Sequence, residues 1–138
     1  MTAFLKSVDT VLIGRKTYEL MQGLSVNSYA GKQNYIFSHT KRSNTYNNVH
    51  WISEDPKSFV SALCAKPGKD IWVVGGGSLF GYLLEQNLID NIILAVHPIF
   101  LGEGIPFVDH IRKKYDLALD KIKSFPTGLV ILKYNFNR

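Results

Sequence analysis

Apolar positions in this chain fall into short unbroken runs and into helical stripes, and the two kinds alternate. Asp9-Thr10-Val11-Leu12-Ile13 is short, apolar and partly β-branched, which predicts a buried strand ending at Gly14. Arg15 to Gln22 has helix-compatible composition, with Gly23 as its stop. After a polar loop, Tyr35-Ile36-Phe37 predicts a second strand running into Ser38-His39-Thr40-Lys41-Arg42. Val49-His50-Trp51-Ile52 alternates as a half-exposed strand does. Asp55-Pro56 opens a helix, because Asp caps free N–H groups and Pro at the first position loses nothing. Phe59, Val60, Leu63 and Cys64 then share one face, and Cys64 is expected in the core. Ile71-Trp72-Val73-Val74 is continuously apolar and predicts a central parallel strand. Leu79, Phe80, Leu83, Leu84 and Leu88 recur at helical spacing, and Ile92-Ile93-Leu94-Ala95-Val96 predicts another buried strand. Leu117 to Phe125 and Leu129 to Phe136 close the chain as two strands around a Pro126-Thr127-Gly128 turn. Strands alternating with helices, followed by a β-rich tail, argue for an α/β sandwich with a mostly parallel sheet and an antiparallel edge.

Composition narrows the class. The 138 residues suit one domain with a full-sized core. A single cysteine excludes a disulfide-built scaffold. No apolar run approaches the about 18 residues of a membrane span, and the first residues lack a signal-peptide core, so a cytoplasmic, non-membrane protein is expected. Sixteen Lys and Arg against eleven Asp and Glu leave a net charge of +5. These bases form small groups, not a stripe, and no nucleic-acid module is present, so small anionic ligands are favoured over nucleic acid. No metal is assigned, because His50 and His110 have no partners at ligand spacing. His97 before Pro98 reads as structural, as do Trp51 and Trp72, while Asp9 and Glu103 are weak candidates for a pocket carboxylate.

The chemistry gathers where strands stop. Val11-Leu12-Ile13-Gly14-Arg15-Lys16-Thr17 is a strand, a glycine, then a helix start carrying two cations and a hydroxyl. Trp72-Val73-Val74-Gly75-Gly76-Gly77-Ser78 is a strand, three glycines, then another helix start. A helix N-terminus offers unpaired N–H groups and about half a positive charge, and glycine lets backbone approach a phosphate. Neither loop fits the P-loop, and Gly75-x-Gly77-x-x-x-Gly81 sits too late in the chain for the dinucleotide fingerprint. Two phosphate-type loops without either common motif imply a polyphosphate nucleotide in another fold.

Ile13-Gly14-Arg15-Lys16-Thr17-Tyr18-Glu19, Gly31 to Ser38 and Val73 to Ser78, in this order, resemble the dihydrofolate reductase-like superfamily. Leu88 to Leu94 and Pro98 to Pro106 resemble most the reductase domain of bifunctional riboflavin-biosynthesis proteins and its stand-alone relatives. The resemblance implies a three-layer α/β sandwich over residues 1–138, with a mixed, mostly parallel sheet and an antiparallel C-terminal strand. It implies an NADPH-dependent reductase passing a hydride to a pterin- or pyrimidine-like small molecule. By the same resemblance, Gly14, Arg15, Lys16 and Thr17 hold cofactor phosphates, and Val74, Gly75, Gly76, Gly77, Ser78 and Leu79 cradle the pyrophosphate. Ser38, His39, Thr40 and Lys41 fall where the family recognises the adenosine 2′-phosphate, and hydroxyls with cations suit that dianion. Phe80 stands where the family often has a tyrosine, so no hydroxyl acts there. No catalytic residue is assigned.

The resemblance also implies a strand, a loop and a helix ahead of Asp9, of which Thr2 to Lys6 would be only the last helical turn. That first strand would lie between those at Ile71–Val74 and Asn91–Val96, and without it their backbone groups lack partners. Three arrangements answer this: the two strands pair directly, a second chain supplies cover or a strand, or the natural product is longer. A homodimer is expected, partly for this reason. The alternative to an active reductase is a catalytically impaired nucleotide-binding remnant or an interaction protein.

Overall fold

The computed structural model describes residues 2–25, 28–43, 46–108 and 111–137; His110 lies outside them. The order is α1 (Thr2–Lys6), β1 (Val8–Gly14), α2 (Arg15–Gly23), β2 (Gln33–Phe37), β3 (Val49–Ile52), α3 (Pro56–Cys64), β4 (Asp70–Gly75), α4 (Gly77–Glu85), β5 (Asn91–Val96), β6 (Leu117–Ser124) and β7 (Val130–Phe136). The α/β class with parallel strands and an antiparallel tail is the one the residue pattern predicts.

Four strands form a parallel sheet in the order β3-β2-β1-β4. β1 sits inside this sheet, and its alternation sends Leu12 to one face and Val11 and Ile13 to the other. Leu12 joins Phe37, Val60 of α3 and Leu79, Leu83 and Leu84 of α4. Val11 and Ile13 join Val8, Ile36, Val49 and Tyr18 of α2, with Phe4 of α1 and Trp72 packed against them. Burial on both faces is the reason β1 reads as an unbroken apolar run. Trp72 meets the rings of Phe4 and Tyr29, and Trp51 meets Tyr18, so both tryptophans pack in the core.

β5, β7 and β6 form a separate antiparallel sheet in that order. The hairpin between β6 and β7 turns at Gly128, whose φ of 95° suits glycine, and Phe125 and Leu129 close it.

Three expectations are corrected. β4 is not central: it pairs with β1 on one side and is an edge of its sheet. β5 is likewise an edge, so its residues alternate between half-buried and exposed. The mixed sheet is therefore split, and β4 and β5 do not pair directly. Cys64 is exposed, because the inner stripe of α3 is Phe59, Val60 and Leu63, and Cys64 falls at the helix end beside the open flank of β4.

Candidate functional site

All four strands of the first sheet are parallel, so the loops after β1, β2 and β4 emerge along one edge. From β1 the chain crosses through α2 to β2 on one side. From β4 it leaves through α4 toward β5, on the other. The connections diverge between β1 and β4, and such a divergence opens a crevice where α/β sheets take their ligands.

The Gly14 and Gly75–Gly77 loops meet at that crevice. A Cβ on Gly14 would stand 3.2 Å from the Gly76 nitrogen and 3.5 Å from the Gly75 oxygen, so the two backbones touch. Gly75 has φ of 148°, a conformation that side chains rarely adopt, and the Gly75–Gly76 peptide bond is cis. The Thr17 hydroxyl turns toward this backbone: a Cβ on Gly76 would lie 3.0 Å from it. Thr17, Gly14, Gly75 and Gly76 are thus one local constellation.

Both helices that leave these loops start on glycine. Gly14 caps α2 and Gly76 caps α4, and neither provides a side-chain acceptor for the first-turn N–H groups. The first turns are Arg15-Lys16-Thr17 and Gly77-Ser78-Leu79. Oriented N–H groups and two helix dipoles at one crevice favour a negatively charged guest. Val74 is half-buried in β4 just ahead of the loop, and the Leu79 side chain packs into the core.

The loop after β2 joins the same edge. The Ser38 N–H donates to the Ile52 carbonyl at 3.0 Å, and the Ser38 hydroxyl accepts from the Thr40 N–H at 3.2 Å. His39, Thr40 and Lys41 are exposed. Glu19 on α2 ties this loop to the first one: Arg15 meets it at 2.6 Å and Arg42 at 3.7 Å. Arg42 also lies over the Trp51 ring at 4.8 Å. Arg15 is therefore partly neutralised by its neighbour, whereas Lys16 and Lys41 make no ion pair among the described residues.

Other candidates fall elsewhere. Asp9 is near the amino end of β1, away from the loop edge, where it accepts from the Lys69 N–H at 2.8 Å and from Thr10. Those hydrogen bonds, the one from Lys69 foremost, hold its carboxyl below its ordinary pKa. Asp9 therefore anchors the turn before β4. Glu103 is exposed in the loop after β5. His50 bonds Gln33 at 2.8 Å and stacks on Tyr35. Phe80 of α4 packs edge-on against Phe107 with centroids 5.6 Å apart, a contact between distant segments that spacing alone does not reveal. Sequence reasoning also missed the Glu19 bridge, although Arg15 and Glu19 at helical i,i+4 spacing signal half of it.

A parallel α/β sheet with two glycine-started helices converging at its switch point is an arrangement that favours anionic ligands. The family model described as the RibD C-terminal domain matches residues 2–131, and the chain belongs to that family. It is 32% identical over 148 residues to the uncharacterized protein YyaP of Bacillus subtilis (strain 168), covering 99% of this chain and 78% of YyaP. It is 34% identical over 123 residues to the uncharacterized protein YwjB of the same organism, covering 88% and 71% of the two. Among solved structures, a putative riboflavin biosynthesis protein from Shewanella sp. PV-4 superposes with a TM-score of 0.86 at 21% identity, covering 100% of this chain and 79% of that one. A pyrimidine reductase-like protein from Corynebacterium diphtheriae superposes with a TM-score of 0.66 at 18% identity, covering 95% and 77%. The fold is thus that of the reductase-like domains which the sequence resembles.

Proposed function

We propose that this chain is a riboflavin-pathway type reductase, which binds NADPH across the Gly14 and Gly75–Gly77 loops and serves a pterin- or pyrimidine-like substrate. The observation that carries this reading is the contact between the two glycine backbones at the divergence of β1 and β4.

The residues present fit the cofactor. Two uncapped helix starts direct N–H groups toward one crevice, as a pyrophosphate requires. Gly75 and Gly76 supply backbone where side chains would block the approach. Ser38, His39, Thr40 and Lys41 provide hydroxyls and a cation, and no acid stands among them to claim ribose hydroxyls. That chemistry favours the 2′-phosphate of NADPH over NADH. When bound, NADPH supplies the hydride; this chain holds and orients it and shapes the electrostatics around it. Glu19 orients Arg15 and Arg42, fixing two guanidinium groups between the first and second loops.

Calorimetric titration with NADPH and NADH tests the reading. NADPH should bind at least tenfold more tightly than NADH, and Lys41→Ala should narrow that ratio several-fold with little effect on NADH. At a hundred times its dissociation constant, the preferred nucleotide should stabilise the fold by about 2.7 kcal/mol. Oxidation of NADPH with a ribosylamino-pyrimidine, and separately with dihydrofolate, then distinguishes the substrate classes. Absence of NADPH binding at millimolar concentration overturns the proposal, and tight binding with no turnover on either compound points to the nucleotide-binding alternative.

A further inference from the structure

β1 and β2 pair in register with Gly14 opposite Phe37, so the loops they feed begin side by side. The first opens α2 with Arg15, and the second runs from Ser38 past Arg42. Arg42 falls one residue beyond the stretch that the sequence resemblance marks for phosphate, yet it is better placed than its neighbour. Lys41 makes no ion pair among the described residues. Arg42 faces Oε2 of Glu19 at 3.7 Å, and its guanidinium lies 4.8 Å above the centre of the Trp51 ring. Trp51 is itself held edge-on by the buried Tyr18 of α2, with ring centroids 5.5 Å apart. The Arg42 fork is thus fixed at one edge by a carboxylate and on one face by a ring.

Glu19 is shared. Its Oε1 accepts from Arg15 at 2.6 Å while its Oε2 faces Arg42. One carboxylate on α2 therefore sets guanidinium groups from two loops beside each other. Two cations so placed repel, and Glu19 is the only acid in the sequence between Asp9 and Glu54. Without its charge, the pair should spread apart.

The position of the pair selects the guest. It stands on the β2 side of β1, whereas the Gly75–Gly77 loop stands on the β4 side. The loops after β2 and β4 are two strand spacings apart, about 10 Å. A guest reaching both carries two separate anionic groups. Backbone N–H groups at the glycines suit a phosphate diester such as pyrophosphate. Two planar forks suit a terminal phosphomonoester, which has three free oxygens to share between them.

We propose that Arg42 determines specificity for a nucleotide bearing a separate phosphomonoester, gripping that group jointly with Arg15, and that Glu19 is the positioning residue that presets the two. This rests on the nucleotide reading of the Gly14 and Gly75–Gly77 loops and adds to it the residue that selects the phosphate. Lys41 supplies charge there, and Arg42 supplies direction.

Calorimetric titration of wild type, Arg42→Ala, Arg42→Lys, Glu19→Gln and the double variant Glu19→Gln/Arg42→Ala with NADPH and with NADH tests this. Arg42→Ala should weaken NADPH binding about tenfold or more and leave NADH within about twofold. Arg42→Lys should restore only part of the loss, because a point charge lacks the fork. Glu19→Gln should weaken NADPH about three- to tenfold despite removing a negative charge from a phosphate site, and its effect should shrink when Arg42 is already alanine. Thermal midpoints should move by about 3 °C or less, since these ion pairs are exposed. Tighter NADPH binding by Glu19→Gln would mark the carboxylate as a competing anion and overturn the proposal. So would full recovery in Arg42→Lys, or equal losses for NADPH and NADH. If wild type prefers NADPH and Arg42→Ala leaves that preference intact, this proposal falls and the nucleotide reading stands. If wild type binds neither nucleotide, both fall.

Discussion

At the scale of single residues, the glycine constellation makes the sharpest demand. Gly75 adopts φ of 148°, so Gly75→Ala should cost about 1–3 kcal/mol, read as a lower denaturant midpoint at constant slope. Gly14 has ordinary extended angles (φ −72°, ψ 152°), so Gly14→Ala acts through the 3.2 Å approach to the Gly76 nitrogen instead. It should prise the two loops apart and weaken NADPH binding tenfold or more, with a smaller loss of stability than Gly75→Ala. Asp55 illustrates a different effect. Its carboxylate caps α3 and accepts from the Tyr82 hydroxyl at 2.6 Å, and that hydrogen bond holds its pKa below the ordinary value. A depressed carboxyl stabilises the fold above its unfolded pKa and loses that contribution as pH falls through the folded value. The thermal midpoints of wild type and Asp55→Asn should therefore differ at neutral pH and converge in acid; a constant gap would refute the assignment. The glycines were legible in the sequence, because only special backbone needs three in a row after an apolar run. The Asp55 cap was equally plain, from its place before Pro56. Its bond to Tyr82 was not, since 27 residues separate partners that only the packing of α4 beside α3 unites.

At the scale of elements, periodicity located all seven strands among the described residues, and it found the helices at Arg15, Pro56 and Gly77. What it could not tell was which neighbours a strand has. Ile71-Trp72-Val73-Val74 and Ile92-Ile93-Leu94-Ala95-Val96 carry the composition of strands covered on both sides, yet among the described residues each has one strand partner. Composition records the environment a segment suits, whereas pairing depends on segments distant in the chain. The helices, by contrast, are fixed by what they bury. Leu83 of α4 is fully buried against Leu12 and Val60, bringing β1, α3 and α4 into one cluster. Leu83→Ala should cost about 2–5 kcal/mol. It should also loosen the Gly77 helix start that the nucleotide would use, so thermal stability and NADPH affinity should fall together. Leu20, on the exposed face of α2, is the control: Leu20→Ala should change stability by about 0.5 kcal/mol or less.

At the scale of the whole molecule, we propose that the second sheet is the face through which copies of the chain meet. The strand registers place Ile92, Tyr134 and Leu119 in one row of a common face, and Leu94, Leu132 and Ile122 in the next. Lys133, Lys121 and Lys123 alternate onto the opposite face with Ile93 and Ile131. The first face is thus apolar across three strands, and on β6 it lies open, with Leu119 55% and Ile122 63% exposed. Ile99, Phe100 and Leu101, in the loop after β5, add further exposed apolar surface. Patches beyond a few hundred Å² mark interaction sites, and a self-complementary apolar face most simply closes as a two-fold dimer. The net charge of +5 opposes association of identical copies, so burial of this face must outweigh it, and added salt should tighten the dimer. Sedimentation should give a dimer at micromolar concentration, with Ile122→Lys shifting it to monomer while the circular dichroism spectrum is preserved. Ile122 projects from the outer strand of the second sheet, so its replacement leaves the Gly14 and Gly75–Gly77 loops in place. A wild-type monomer at high concentration and high salt would show that this face serves some other contact.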